Sequence, residues 1–276
     1  MTSAQTSIRT LQSHDPRDAI GRDLYDGIRS WRLWTMLGWN DIRRRYRRSV
    51  LGPFWLTISM SLLVAALGSL YAQIFHMDIA SYLPYLTLGF IVWGFISATI
   101  KDSCQAFWSQ GEMIKQIRVP FTVYVLRMVW GHFIVLLHTI IIIVPIWIYF
   151  HHWPDRTALM AIPGLLVIAL NLAWVGVALA ILNTRFRDVS QIVETVLQIT
   201  VFATPIMWPV SALGNDRRFI ADVNPMYHLI ELVRAPLLGE APSTLSWLVA
   251  LGVAAAGLLL AALLLRHVDR RIVYWL

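Results

Sequence analysis

Charge is scarce in this chain, and so is cysteine. Only 14% of its 276 residues are Asp, Glu, Lys or Arg, against roughly 25% in an ordinary soluble domain. So small a stock of charge excludes a conventional soluble core with a water-facing surface. The single cysteine, Cys104, excludes an internal disulfide and a thiolate metal cluster. The phosphate-cradling pattern Gly-x-x-x-x-Gly-Lys-Ser/Thr is missing, so ATP is not held here by a P-loop. No His-x-x-x-His or Cys-x-x-Cys spacing points to a metal, and no Ser/His/Asp arrangement can be argued from spacing. Catalytic residues are therefore not assigned. Internal repeats and inverted halves are also missing, which argues against a secondary transporter. Residues 1–38 are too polar to contain the apolar core of a cleavable signal peptide. Basic residues do not interleave with aromatics outside the membrane flanks, so nucleic acid is not an expected partner.

What the chain has is long apolar runs. Hydrophobic residues make up 57% of it, and thirteen residues are Trp. Six stretches are long enough to cross a bilayer, given that a helix needs about 20 residues to do so. They cover 54–75, 83–100, 123–150, 162–182, 189–208 and 245–265. The expected fold is therefore an all-α integral membrane protein with six transmembrane helices. The chain divides into a flexible N-terminus (1–23), an amphipathic and basic segment (24–50) and a six-span domain (51–276). In the second part Leu24, Ile28, Trp31, Trp34 and Leu37 recur at helical spacing, with Arg29 and Arg32 between them. That pattern predicts an amphipathic helix lying in the membrane interface, or packed on a partner.

Five arginines follow within six residues: Arg43, Arg44, Arg45, Arg47 and Arg48. Each charge at the bilayer centre costs about 2.5–3.5 kcal/mol, so the cluster stops at the lipid headgroups. It is a topology signal, and it is also suited to binding anionic headgroups. With the N-terminus inside, the inner segments hold 18 of the 23 Lys and Arg residues, so both termini are expected in the cytoplasm. Arg127, near the inner end of the third span, is expected to snorkel. The longest inner loop is 101–122, where 109–118 can form a short helix before Pro120. The longest outer segment is 209–244, within which 225–238 is half apolar and can re-enter as a short helix.

Two spans carry patterned faces. In the fifth, Gln191, Glu194 and Gln198 share one helix face, continued by Phe202. A carboxylate at membrane depth is a functional candidate; near the inner surface it would simply pair with a cation or water. Such a stripe should face a partner helix or a hydrated path rather than lipid. In the first span Ser61, Ala65, Gly68 and Ala72 form a small-residue face, suited to packing within the chain or to a dimer seam. His132 and His138 in the third span are expected to be hydrogen-bonded structural groups rather than a proton relay. His151-His152 reads as an interfacial pair.

Four stretches together resemble the membrane subunit of bacterial ABC exporters for surface polysaccharides, the O-antigen and teichoic-acid permease family. The first is Arg47-Arg48-Ser49-Val50-Leu51-Gly52-Pro53-Phe54-Trp55. The second is Met113-Ile114-Lys115-Gln116-Ile117-Arg118-Val119-Pro120, where Val119 stands in place of the family's usual aromatic. The third is Arg185-Phe186-Arg187-Asp188-Val189, leading to Thr204-Pro205-Ile206. The fourth is Asn224-Pro225-Met226-Tyr227-His228-Leu229-Ile230-Glu231, with Arg234 and Gly239 after it. The resemblance runs from about Leu24 to the end.

It implies a multi-pass bacterial inner-membrane protein, a homodimer of this chain joined by two copies of a separate ATPase that carries ATP and Mg. It implies that the loop around Glu112, Lys115 and Arg118 is a coupling helix seated on that ATPase. It also implies that the first and fifth spans line a channel for a lipid-linked polysaccharide. Aromatic rings stack on the flat faces of sugars, so Tyr71, Phe75, Phe202 and Trp208 would form a belt near the outer ends of those spans. Arg43–Arg48 would receive the pyrophosphate of the lipid carrier. Two alternatives remain open: an ABC permease for a small drug or lipid, and a membrane-embedded acyl- or glycosyltransferase.

Overall fold

The computed structural model describes residues 16–47, 52, 54–117, 119–151, 153–213 and 218–276. Among these residues the secondary structure is helical, without a strand. Two helices come first, α1 (Pro16–Arg29) and α2 (Trp31–Tyr46). The expected single amphipathic helix is thus broken at Ser30, and helix already begins at Pro16 inside the segment expected to be flexible. The break resets the apolar stripe. Leu24, Trp34 and Leu37 are half-buried, whereas Ile28 and Trp31 are exposed.

Four long apolar helical stretches follow. The first is α3 (Phe54–Ile74) and the second α4 (Ile79–Ser103), the most enclosed of them. A short helix α5 (Gly111–Gln116) lies in the connecting loop. The third stretch is α6 (Phe121–Thr139), a 3₁₀ turn over Ile140–Ile142, and α7 (Ile143–Phe150). Its three-residue tightening relieves the approach to Pro145, which offers no N–H to the ladder. His151 ends the helix in the left-handed conformation at φ 58°. The fourth stretch is α8 (Ala161–Arg185), preceded by a 3₁₀ turn over Arg156–Met160.

The fifth stretch departs from expectation. Helix α9 (Val189–Ala203) has 15 residues, a length of about 22 Å, too short for a hydrocarbon layer of about 30 Å. It ends because Thr204 precedes Pro205 and is pushed to extended backbone, with ψ 139°. The chain then turns back through α10 (Phe219–Asp222) and α11 (Pro225–Leu237). The last element, α12 (Thr244–Trp275), runs for 32 residues, ten beyond the expected end at Leu265. Among the described residues five helical stretches are therefore long and apolar enough to cross a membrane, and α9 is a shorter apolar helix beside them.

The re-entrant helix is better buried than an interfacial helix would be. Asn224 caps it, its side-chain oxygen accepting from Met226 N at 3.0 Å, and Pro225 fills the first turn. Leu229, Ile230, Leu232 and Val233 are buried with α4 and α8 in the main core. Gly164 of α8 permits this approach: a Cβ there would lie 2.3 Å from the Leu232 carbonyl oxygen. Close contact of the same kind joins α8 to α12, where a Cβ on Gly257 would fall 2.1 Å from the Trp174 ring. Asn171 strengthens that seam by donating to Ala250 O at 3.1 Å.

The small face of α3 packs within the chain. Gly68 and Ala72 are buried, and Gly68 sits directly against Leu83 of α4. Ala65, by contrast, is exposed.

Candidate functional site

The helices α1 and α2 are held along α6 by polar contacts. Asp23 accepts from Phe121 N at 2.7 Å and from the Thr122 hydroxyl at 2.6 Å, so it caps α6 from outside. A Cβ on Gly38 would lie 2.9 Å from Arg127 O, so the two backbones nearly touch there. Arg127 does not snorkel. It is 4% exposed and donates through two nitrogens to the two oxygens of Asp41. Arg44 donates to Asp41 at 2.6 Å. Burial alone would push the Asp41 carboxyl up, but the hydrogen bonds and charges of Arg127, then Arg44, outweigh it and hold the group below its ordinary value of 3.8.

A second carboxylate, Asp102 at the inner end of α4, accepts from Arg45 at 3.1 Å and lies 2.9 Å from His132 Nε2. His138 sits 2.7 Å from Ile134 O. Both histidines are thus hydrogen-bonded. The basic cluster is divided by these contacts. Arg44 and Arg45 are committed to carboxylates, Arg43 and Arg47 are exposed, and Arg48 lies outside the described residues. A cavity of about 450 Å³ opens among Asp41, Arg44, Arg45, Asp102 and His132.

Next to Asp102, Lys101 reaches across to Glu194 of α9. The carboxylate is therefore paired with a cation at the C-terminal end of α4. Gln191 and Gln198 on the same face are exposed, Phe202 is 66% exposed, and α9 has no buried residue. The stripe is left uncovered by the rest of the chain.

At the outer end aromatic rings form a ladder. Tyr71 and Phe75 stack at 5.8 Å, Phe75 meets Tyr82 at 6.3 Å, and Tyr82 meets Tyr85 at 6.3 Å. The tyrosine hydroxyls serve the irregular backbone after α9. Tyr82 donates to Met207 O, and Tyr85 to Pro205 O at 3.0 Å. Arg234 of α11 donates to Pro205 O at 2.7 Å, pairs with Glu231 through two nitrogens, and lies 3.9 Å over the Tyr85 ring. Non-helical carbonyls cannot face hydrocarbon unsatisfied, and this knot satisfies them. Arg234 is wholly buried. The signal was the Glu231/Arg234 pair, three apart on an otherwise half-apolar helix. Trp208 donates to Phe202 O at 3.0 Å. Tyr71 and Phe75 are thus brought together against α4, and Phe202 with Trp208 on the stretch after α9.

The short helix α5 presents Glu112 and Lys115 to solvent, while Met113 and Ile114 pack on a separate core formed by α6, α8 and α12. Arg118 lies outside the described residues. Leu276 touches Gly111, Arg185 lies 5.0 Å over Trp275, and Arg187 lies 5.3 Å over Trp108. The loop containing α5, the α8–α9 turn and the C-terminal end of α12 therefore gather on one side of the bundle.

Several bilayer-length helices, a charged girdle at one end and a re-entrant helix sealed by a buried arginine at the other define a multi-pass membrane protein of the permease class. The sequence profile of the ABC-2 type transporter family matches residues 32–238, and the chain belongs to that family. Membership makes it a transport subunit whose class works with an ABC ATPase. The chain is 23% identical over 198 residues to the O-antigen export system permease protein RfbA of Myxococcus xanthus, covering 71% of this chain and 76% of that one. It is 24% identical over 192 residues to an O-antigen export system permease protein RfbA of Klebsiella pneumoniae, covering 69% and 74%.

Proposed function

We propose that the chain is the transmembrane half of an ATP-driven exporter that moves a lipid-linked polysaccharide, of O-antigen type, across a bacterial inner membrane. It works as a homodimer with two copies of a separate ATPase subunit, which binds ATP and Mg. Both termini lie in the cytoplasm, with α5 seated on the ATPase through Glu112, Lys115 and Arg118.

The observation that carries this reading is the pair of uncovered amides on α9, Gln191 and Gln198, on either side of Glu194, which Lys101 holds. Amides at membrane depth are costly against lipid. A second copy that faces them across water removes that cost and makes a path whose amides hydrogen-bond sugar hydroxyls weakly. Phe202 and Trp208, with the Tyr71–Phe75 stack behind them, supply rings at the outer end. Arg43, Arg47 and Arg48 meet the pyrophosphate in the inner headgroup layer, while Arg44 and Arg45 also hold the carboxylates of Asp41 and Asp102. The names of the curated relatives support the cargo class.

The test is surface polymer in cells that make the lipid-linked chain. Gln191→Leu with Gln198→Leu should leave the protein in the membrane at normal level and cut surface polymer sharply. Full display of polymer by that variant would overturn the path.

A further inference from the structure

An apolar crevice of about 360 Å³ runs between α3, α4 and α6, and its lining includes Arg45 and His132. The same two residues line the polar cavity at the inner end of the bundle. The two spaces therefore share one polar wall. Leu56 and Leu63 of α3 wall the crevice, Gly94 and Ala98 of α4 form its small-residue side, and Val135 of α6 lines it too. A Cβ on Gly94 would meet only Met60, at 3.7 Å, so the hollow exists because small residues stand where larger ones would fill it. Helix α9 contributes no lining residue, which sets the crevice apart from the path marked by Gln191 and Gln198.

We propose that this crevice holds a resident anionic glycerophospholipid, one acyl chain between α3, α4 and α6 and its phosphate at Arg45 and His132. Charge selects the occupant. Arg44, Arg45 and Lys101 stand at the mouth together with the buried Arg127, and the carboxylates of Asp41, Asp102 and Glu194, the last paired with Lys101, leave one positive charge over. Arg45 gives one N–H to Asp102 at 3.1 Å and half its side chain is exposed, so the guanidinium has donors left for a phosphate. A basic pocket between membrane helices on the inner side suits an anionic head, and an apolar slot suits a single chain. The lipid then joins α2 to the bundle through the same Arg45 that holds Asp102. The crevice shares α3 with the proposed path but has no lining from α9; the occupant proposed here is a bilayer lipid, and a polyprenyl phosphate in its place would refute this.

The experiment uses the full complex with its ATPase, in nanodiscs of phosphatidylglycerol and phosphatidylethanolamine with a polyprenyl phosphate added. Retained lipid is counted by native mass spectrometry. The expected result is one phosphatidylglycerol per copy of this chain. Arg45→Gln should lower its occupancy by about tenfold at limiting lipid, the effect of losing a charge-assisted hydrogen bond. Ala98→Phe should expel it by filling the slot, and Ser59→Phe, at an exposed lining position of α3, should do the same if Ala98→Phe fails to assemble. Equal retention of the zwitterionic lipid, retention unaltered by the filling variants, or replacement by the polyprenyl phosphate would each overturn the proposal. The last outcome would leave the export reading intact, whereas loss of export in Gln191/Gln198 variants bears on that reading alone.

Discussion

Replacing Asp41 by Ala should release α2 from the bundle. Arg127 lies in the first half of α6 with 5% of its side chain exposed, and Asp41 is its carboxylate partner, itself 30% exposed. Removing one member of a buried pair costs about 3–5 kcal/mol, because the other charge stays buried without compensation. Asp41 is partly open to water, so the lower end applies, about 3 kcal/mol. At about 2–4 °C per kcal/mol for a chain of this size, the melting midpoint of the purified protein should fall by about 6–12 °C. Asp41→Leu combined with Arg127→Met removes both charges, and the double variant should recover most of the loss. If the two single effects merely add, the pair is not coupled and the clamp is wrong.

The same pair predicts a direction with pH. The Asp41 carboxyl is depressed below 3.8 in the folded protein, so the folded state binds its proton less readily than the unfolded chain does. The stabilisation is complete above the unfolded value and is lost as pH falls through the folded one. Acid below about pH 4 should therefore destabilise the wild type more than the Asp41→Leu/Arg127→Met variant, read as the midpoint difference between them.

Arg234→Met should leave Glu231 without its cation inside the bundle and the Pro205 carbonyl with Tyr85 alone, at a cost of about 3–5 kcal/mol. Arg234→Lys should rescue little, because a point charge cannot serve Glu231, Pro205 O and the Tyr85 face together; near-wild-type melting of the lysine variant would refute that. Lys115→Glu reverses a charge on the exposed face of α5 without touching Met113 or Ile114. In the reconstituted complex it should leave the fold intact and separate ATP hydrolysis from export, and unchanged coupling would refute the docking role of α5.

Local signals were readable in the sequence and distant pairings were not. The apolar runs mark α3, α4, α6 with α7, α8 and α12 because lipid solvation demands unbroken hydrophobicity over a bilayer. The half-apolar stretch after Asn224-Pro225 marks α11 because cap and first-turn proline are local chemistry. The length of α9 was overestimated because apolar composition continues through Pro205–Trp208 while the backbone does not. Its end was nevertheless announced by Thr204-Pro205. The partners of the basic cluster could not be read, since Arg127 meets Asp41 across 86 residues, Arg45 meets Asp102 across 57, and Lys101 meets Glu194 across 93. The burial of Arg234 could not be read for the same reason: it depends on Glu231, which is local, and on Tyr85 and Pro205, which are not.

The inner end of α4 links the remaining parts mechanically. Lys101 and Asp102 are consecutive, so their side chains leave the helix about 100° apart. One holds Glu194 on the polar face of α9, and the other holds Arg45 of α2 and His132 of α6. A few residues later the chain enters α5. If α5 is seated on the ATPase as proposed, a push on it would reach the end of α4 as well as α6 and α12, and at α4 it would be shared between α9 on one side and the α2 clamp on the other. Ion pairs suit such a junction because they exchange partners with little steric cost, unlike the interlocked contacts at Gly164 and Gly257. In the exporter proposed here, the packed seam of α8, α11 and α12 acts as the rigid wall, and the Lys101–Asp102 corner is where force from the ATPase is turned toward the polymer's path.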